Sequence, residues 1–326
     1  MTMFGKLKEN RSLIMALAII WVAFYHIPWP PRAPWIDLIH DVGYMGVDVF
    51  LFISGIGACH SIGSRGGRAY LSQRIKRILP GLLPILVLWS GIMVAVGAMN
   101  FLEFLGSVTL VGWWLGASKQ LNWYFSAVWM FFLLAMALYR PMVRGKRPLL
   151  WLLGGCILSF LLVRLTPFSN QLTAFSRIPV FLFGMLVGRW EIRGTMGQKT
   201  LRGILYGLMI PGILLTVLVW HSWGDIWGDS LGLWWYPFAL VVPGGIFLTA
   251  EIGHLLREIR PVSKILRPVE AVGEASSEAL MIHVGIYKLI QLYVKLYPKH
   301  WLLVMLLCLV LSVAYHRLVV KKLPVP

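Results

Sequence analysis

IMALAIIWVAFYHIPWP (residues 14–30), GYMGVDVFLFISGIG (43–57) and RGGRAYLSQRIKRILP (65–80) decide the fold of this chain. The first stretch is apolar until it reaches His26, the second carries Asp48 among apolar neighbours, and the third is a basic exit. Apolar segments of this kind cross bilayers, where a charged side chain at the centre costs roughly 3 kcal/mol or more, so an ionisable group there marks a candidate functional site. His26 and Asp48 are the first two candidates.

Composition extends this reading to the whole chain. Of the 326 residues, 58% are hydrophobic and 13% charged, with a mean hydropathy of +0.75. Soluble domains carry about 25% charged residues. The expected fold is all-α: one polytopic membrane helix bundle over residues 1–326 with no separate soluble domain. The start, MTMFGKLKENRSLIMALAIIWVAF, looks like a signal peptide, but Tyr25, His26 and the prolines after it replace a small-residue cleavage site. It reads as a retained first span.

A spanning helix takes about 20 mostly apolar residues. Ten such segments are expected, near 12–28, 43–60, 80–98, 122–140, 148–165, 174–190, 203–221, 235–255, 273–296 and 300–318. The stretch NFLEFLGSVTLVGWWLGASKQ (100–120) is too interrupted to span and suits an interfacial helix, with Trp113 and Trp114 at headgroup level.

Charge orients the bundle. The net charge of +17 invites a nucleic-acid partner, but the cations lie in short clusters at every second loop. Of 30 Lys and Arg, 23 fall on one side when both termini are cytoplasmic; the rest are Arg32, Lys119, Arg164, Arg177, Lys288, Lys295 and Lys299. That is the positive-inside pattern, and no nucleic acid is expected. It puts His26 at the outer end of the first span and Asp48 near the outer start of the second, at similar depth. Cys59, Cys156 and Cys308 are far apart, within apolar segments, and suit packing better than disulfides or a metal site.

Each polar candidate has a functional and a structural reading. His26 suits a general base, since its unperturbed pKa is near neutrality, and Asp48 could orient its imidazole; alternatively, His26 is interfacial and Asp48 a capping or packing residue. Ser54 and Gly55 suit close helix packing. Arg74, Lys76 and Arg77 suit either lipid phosphates at the inner leaflet or a cytosolic phosphate-bearing ligand, Arg being apt for bidentate phosphate binding. Arg177 could hold an anionic or carbonyl group, or snorkel to the interface. His60 reads as interfacial. His283 sits near Ser276, Ser277 and Glu278, with Glu274 and Glu278 spaced to share a helical face. Glu103, Asp225 and Asp229 are outer-loop carboxylates. There is no phosphate-binding glycine loop, no paired-histidine metal spacing and no nucleophile elbow.

Taken in order, these pieces resemble the membrane acyltransferase 3 family. MALAIIWVAFYH (15–26) is similar to its first helix ending in histidine, and GYMGVDVFLFISGIG to its Gly-Val-Asp-x-Phe-Phe-x-x-Ser-Gly stretch. YLSQRIKRILP (70–80) resembles its Arg-x-x-Arg-Ile-x-Pro block, and LNWYFSAVWMFFLLAMALYRP (121–141) its Leu-Trp-Phe-Leu helix. RIPVFLFGMLVGR (177–189) and SSEALMIHVGIYK (276–288) are similar to its later Arg-bearing and His-bearing segments. The resemblance covers nearly the whole chain.

It implies ten core helices in a bacterial-type plasma (inner) membrane. It also implies transfer of an acyl group, expected to be acetyl, from cytosolic acyl-CoA to a hydroxyl of an extracytoplasmic glycan or glycolipid. The acyl-CoA (acetyl-CoA) is a co-substrate, and no metal is expected. By position, His26 would be the base, with Asp48 and Ser54 in the adjoining motif and Arg74 and Arg77 near the CoA phosphates. Arg177 and His283 match later polar positions. The family often has Arg eleven positions before the helix-end histidine; here Met15 stands there, and Arg11 lies one turn lower on the same face. The aromatic residues of the last motif are replaced in SEALMIH (277–283). A transporter or flippase for a lipid-linked saccharide or small solute, or a non-catalytic membrane sensor, would use the same polar groups differently.

Overall fold

The computed structural model describes residues 1–28, 33–117, 121, 123–166, 169–221, 233–294 and 296–322. Arg32, Lys119, Asp225, Asp229, Lys295 and the side chain of Lys299 lie outside the described residues. Described residues contain no strand. Eight of their helices are long and apolar enough to cross a membrane. These eight correspond to the second through eighth and the tenth expected spans. The first, Arg11–Tyr25, is apolar but has 15 residues. The ninth, Ser276–Tyr293, is interrupted by Glu278, His283 and Lys288. The protein is a polytopic helical membrane protein.

In chain order the helices are α1 (Met3–Glu9), α2 (Arg11–Tyr25), α3 (Pro34–Asp41), α4 (Gly46–Arg65), α5 (Gly67–Ala95), α6 (Phe101–Val108), α7 (Trp123–Tyr139), α8 (Pro148–Leu165), α9 (Ser169–Phe175), α10 (Ile178–Arg193), α11 (Gln198–Leu218), α12 (Phe238–Arg257), α13 (Arg260–Glu274), α14 (Ser276–Tyr293) and α15 (Pro298–Leu318). They form two compact units. One comprises Met1–Arg11, Val47–Leu71 and Ala127–Ile259; the other comprises Ser12–Gly46, Ser72–Ser126 and Arg260–Pro326.

In the first unit α10 is the spine. Every residue from Ile178 to Arg189 is buried, as befits a helix apolar all round. α4 crosses it through glycines: a Cβ at Gly55 would meet the Phe181 carbonyl, and one at Gly184 the Phe52 carbonyl. Such close backbone approach is how membrane helices gain packing where lipid removes the hydrophobic drive. Two arginines in the last turns of α10 are structural as well as topological. Arg189 donates to the carbonyls of Met142 and Gly145, and Arg193 to those of Val143 and Arg144. They satisfy the carbonyls left open where α7 runs into the π-helical turn Arg140–Arg144.

α1 also belongs to this unit, and its role is not visible from its basic residues. Met3, Phe4 and Leu7 are buried, and Phe4 meets Phe247 of α12 edge-on at 5.4 Å. Fully buried Asn10 donates to the carbonyls of Lys6 and Ala250 and accepts from Arg257 Nε at 2.9 Å. At the end of α4, His60 Nε2 contacts Glu191 at 2.7 Å, and Lys8 reaches the same carboxylate at 3.0 Å.

The second unit gathers α2, most of α5, α13, α14 and α15. A Cβ at Gly43 would meet the Trp21 carbonyl at 2.8 Å and one at Gly46 would meet Val22 Cγ2 at 2.7 Å, so the GYMG turn lies directly on α2. The basic block 70–80 does not precede a span, as expected, but forms the first turns of a single long helix, α5. Pro80 and Pro84 are accommodated inside it, because neighbouring groups in a membrane bundle re-satisfy freed backbone carbonyls.

Two further expectations are corrected here. Glu274 and Glu278 do not share a helical face, because the helix breaks at Ala275. Glu274 pairs with Lys321 at 2.8 Å, whereas buried Glu278 lies 3.4 Å from His316 and accepts from Ser277. α6 is the short helix expected within 100–120, closed by an Asn100–Glu103 capping box. Trp113, however, packs inward, 3% exposed, rather than at headgroup level, and Trp114 donates to the Ser126 carbonyl.

Candidate active site

His26 lies one residue beyond α2, where helix geometry leaves carbonyls without intrahelical donors. Its ring turns back onto one of them: Nδ1 is 2.8 Å from the Val22 carbonyl. Histidines near helix C-termini commonly satisfy such carbonyls. Fully buried His283, in the middle of α14, does the same with the Ala279 carbonyl through its own Nδ1, at 2.6 Å. Its Nε2 stands 3.3 Å from His26 Nδ1, with the rings 5.0 Å apart and edge-on.

This network assigns the protons. A carbonyl only accepts, and a neutral imidazole carries one N–H. Both Nδ1 atoms are therefore donors, and His283 Nε2 is an acceptor. His26 Nδ1–H is shared between Val22 O and His283 Nε2, which leaves the lone pair of His26 on Nε2. That is the tautomer a general base requires, and it is held from two directions.

Three neighbours of the pair were not singled out in the sequence as its partners. Tyr287, one turn after His283, packs against it at 5.4 Å and against Trp301 at 5.3 Å. His40, in α3, contacts the Ile27 carbonyl at 3.0 Å and is electrostatically coupled to His26, as is Lys288. Tyr287 stands at the i+4 position from His283 and could have been read from helical spacing. Nothing in the polar loop sequence around His40 distinguishes it from a solvated residue.

Asp48 and Arg177 meet in the first unit, each 1% exposed, with Arg177 Nε 3.5 Å from Asp48 Oδ2. Arg177 also donates to the Thr173 carbonyl at 2.6 Å and lies over the Trp235 ring at 5.6 Å. It is thus buried and paired, which corrects the snorkelling reading. Neither Asp48 carboxylate oxygen makes a hydrogen bond among the described residues. Asp48 and His26 fall in different units, so the expected base–orienter pairing is a property of neither unit alone. Within the second unit, His283 and Val22 hold the imidazole.

Ser54 is half-buried in α4 beside Gly55, whose close approach to α10 accounts for the motif. Arg11 is exposed at the first residue of α2. Arg74 is half-buried and Arg77 exposed in the inner turns of α5; Arg77 is within electrostatic reach of Arg74 and Glu278, and Arg74 of Tyr124. No group of three His, Cys, Asp or Glu side chains among the described residues could hold a metal ion.

The matching family model is described as an acyltransferase domain, and it covers residues 13–317. No curated protein and no solved structure matches the chain significantly. Covering nearly the whole chain, with the helix order and polar positions found above, that match makes the chain a member of the acyltransferase 3 family, a multi-pass membrane acyltransferase.

Proposed function

We propose that the protein moves an acyl group from cytosolic acyl-CoA to a hydroxyl of an extracytoplasmic carbohydrate or glycolipid, in the plasma (inner) membrane, with His26 as general base. The observation that carries this reading is the fixed tautomer of His26, whose Nε2 lone pair is set by hydrogen bonds to Val22 and His283. Arg74 and Arg77 would hold the phosphates of the donor, their planar guanidinium groups matching phosphate oxygens. His26 Nε2 removes the acceptor hydroxyl proton as that oxygen attacks the thioester carbonyl. The new ester C–O bond forms as the C–S bond breaks, and the proton passes from His26 to the departing thiolate. Asp48 enters as a positioning group, through its pairing with Arg177 between α4 and α10.

The test uses purified protein in liposomes, given labelled acyl-CoA and a panel of glycan acceptors, beside a His26→Ala variant. The expected result is acceptor-dependent release of CoA that the variant loses. No CoA release with any acceptor, together with solute movement that does not need His26, overturns the reading in favour of a transporter.

A further inference from the structure

α13 (Arg260–Glu274) carries five ionisable side chains in 15 residues and leads from α12 into α14. At 1.5 Å per residue it is about 22 Å long, too short and too polar to cross a hydrocarbon core of about 30 Å. The charge count puts it on the inner side. A helix there either stands off in the cytosol or lies on the leaflet, and its faces distinguish the two.

One face is covered by protein. Leu266 is buried, and Gly273 lies so close to the first turns of α2 that a Cβ would meet the Ser12 carbonyl and the Ala16 amide. The next arc is apolar but uncovered: Pro261 and Pro268 are exposed, and Ile265 is 65% exposed. The third face is cationic. Arg260, Lys264 and Arg267 stand at i, i+4 and i+7, all exposed. Among the described residues none of the three has a side-chain hydrogen bond or ion pair. The carboxylates of the same helix do not serve them: Glu274 is taken by Lys321 at 2.8 Å, and Glu270 is half-buried. Basic residues beside an uncovered apolar arc are the pattern of a helix lying in a membrane interface, with the apolar side in the acyl boundary and the cations at the phosphates.

We propose that α13 lies in the headgroup region of the inner leaflet and that Arg260, Lys264 and Arg267 bind the phosphates of anionic phospholipids. The apolar arc commits the partner to a lipid surface, because a free phosphate would satisfy the cations and leave Ile265 in water. The two guanidinium groups suit phosphate oxygens bidentately. This inference does not depend on the acyl-transfer reading. It bears on the imidazole pair through the chain: α13 packs at Gly273 on α2, which leads to His26, and runs on to α14, which carries His283. Lipid held by α13 would brace the inner ends of both helices.

Two measurements on the purified full-length protein test this. In the first, Ile265→Cys, with Cys59, Cys156 and Cys308 replaced by alanine, carries an environment-sensitive fluorophore in nanodiscs of phosphatidylcholine and phosphatidylglycerol. Strong quenching by lipid spin-labelled near the glycerol is expected, with little by aqueous iodide. Ready quenching by iodide and none by the lipid puts α13 in the cytosol and overturns the inference. In the second, thermal stabilisation in detergent is titrated with phosphatidylglycerol, phosphatidylcholine and inorganic phosphate. Phosphatidylglycerol should act at lower concentration than phosphatidylcholine. Each of Arg260→Gln, Lys264→Gln and Arg267→Gln should raise its half-effect concentration by about fivefold, the worth of one cation at an anionic surface. Removing three exposed cations elsewhere on the inner side, with Lys146→Gln, Arg147→Gln and Lys199→Gln together, should do less than the α13 triple variant. Equal effects of the two triple variants reduce the preference to net charge and overturn the inference. Stabilisation by inorganic phosphate equal to that by phosphatidylglycerol makes the face a general anion site and also overturns it.

Discussion

In the proposed mechanism a proton accepted by His26 would go to Nε2, and the positive charge would be shared with Nδ1, which lies against Val22 O and His283 Nε2. His283 would then do with a neutral nitrogen what a carboxylate does in other base–orienter pairs. His26→Ala should reduce acyl transfer by about 10²–10⁴-fold, the usual contribution of a general base, measured as CoA release under saturating acceptor. His283→Phe should cost less than this and move the pH profile of transfer, while His283→Gln, which keeps an acceptor, should recover part of the loss. Equal losses in all three variants with an unmoved pH profile would reduce His283 to packing. The sequence made His26 and His283 candidates through apolar surroundings and family order. Their meeting was not legible, because two histidines 257 positions apart carry no local signal. The same limit hid the partner of Asp48. Burying one charge of such a pair alone is costly, so Arg177→Met should destabilise the protein by about 3–5 kcal/mol, read from denaturant or thermal unfolding in detergent. Asp48→Leu combined with Arg177→Met should be closer to wild type than Arg177→Met alone.

At the scale of helices, the apolar period gave the spans and the glycines gave their crossings. The segment expected at 148–165 is α8 to the residue, because Pro148 starts it and Thr166 ends it. The third expectation began 13 residues late, since Arg68, Arg74, Lys76 and Arg77 look like a loop to a hydropathy argument but are compatible with helix. The break at Ala275 was equally hidden: Gly273, two residues before it, was not read as a stop, and Glu274 and Glu278 take separate partners on either side of it. Gly55, by contrast, was read as a packing residue from its type alone. Gly55→Val should destabilise the first unit by about 1–3 kcal/mol, the ordinary cost of overpacking, because its side chain would meet the α10 backbone at Phe181 and Met185. An unchanged unfolding midpoint would mean that α4 and α10 can separate without loss. Gly203, with open space around its missing Cβ, is the control position.

For the whole molecule, the chemistry depends on which side each loop faces. In the proposed function, a cytosolic donor would need Arg74 and Arg77 inside, and an extracytoplasmic acceptor would need the end of α2 outside. Charge counting alone sets this orientation, with 23 of 30 cations on the inner side. Some of those cations also have structural partners, since Arg189 and Arg193 satisfy the carbonyls after α7 and Arg257 binds Asn10. A count that mixes topological and structural cations needs an independent check, and single cysteines provide one. With Cys59, Cys156 and Cys308 replaced by alanine, Thr109→Cys, Ser64→Cys and Thr200→Cys each place a thiol at an exposed position. Thr109 follows α6 in an outer connection, whereas Ser64 ends α4 and Thr200 begins α11 on the inner side. An impermeant maleimide added to intact cells should label Thr109→Cys at once, and should label the other two only after permeabilisation. The reverse pattern would invert the bundle and put Arg74 and Arg77 on the side away from cytosolic CoA. Labelling of Thr109→Cys and Ser64→Cys together from outside would remove α5, the helix between them, from the spanning set, and would put Arg74 and Arg77 at its start on the outer side.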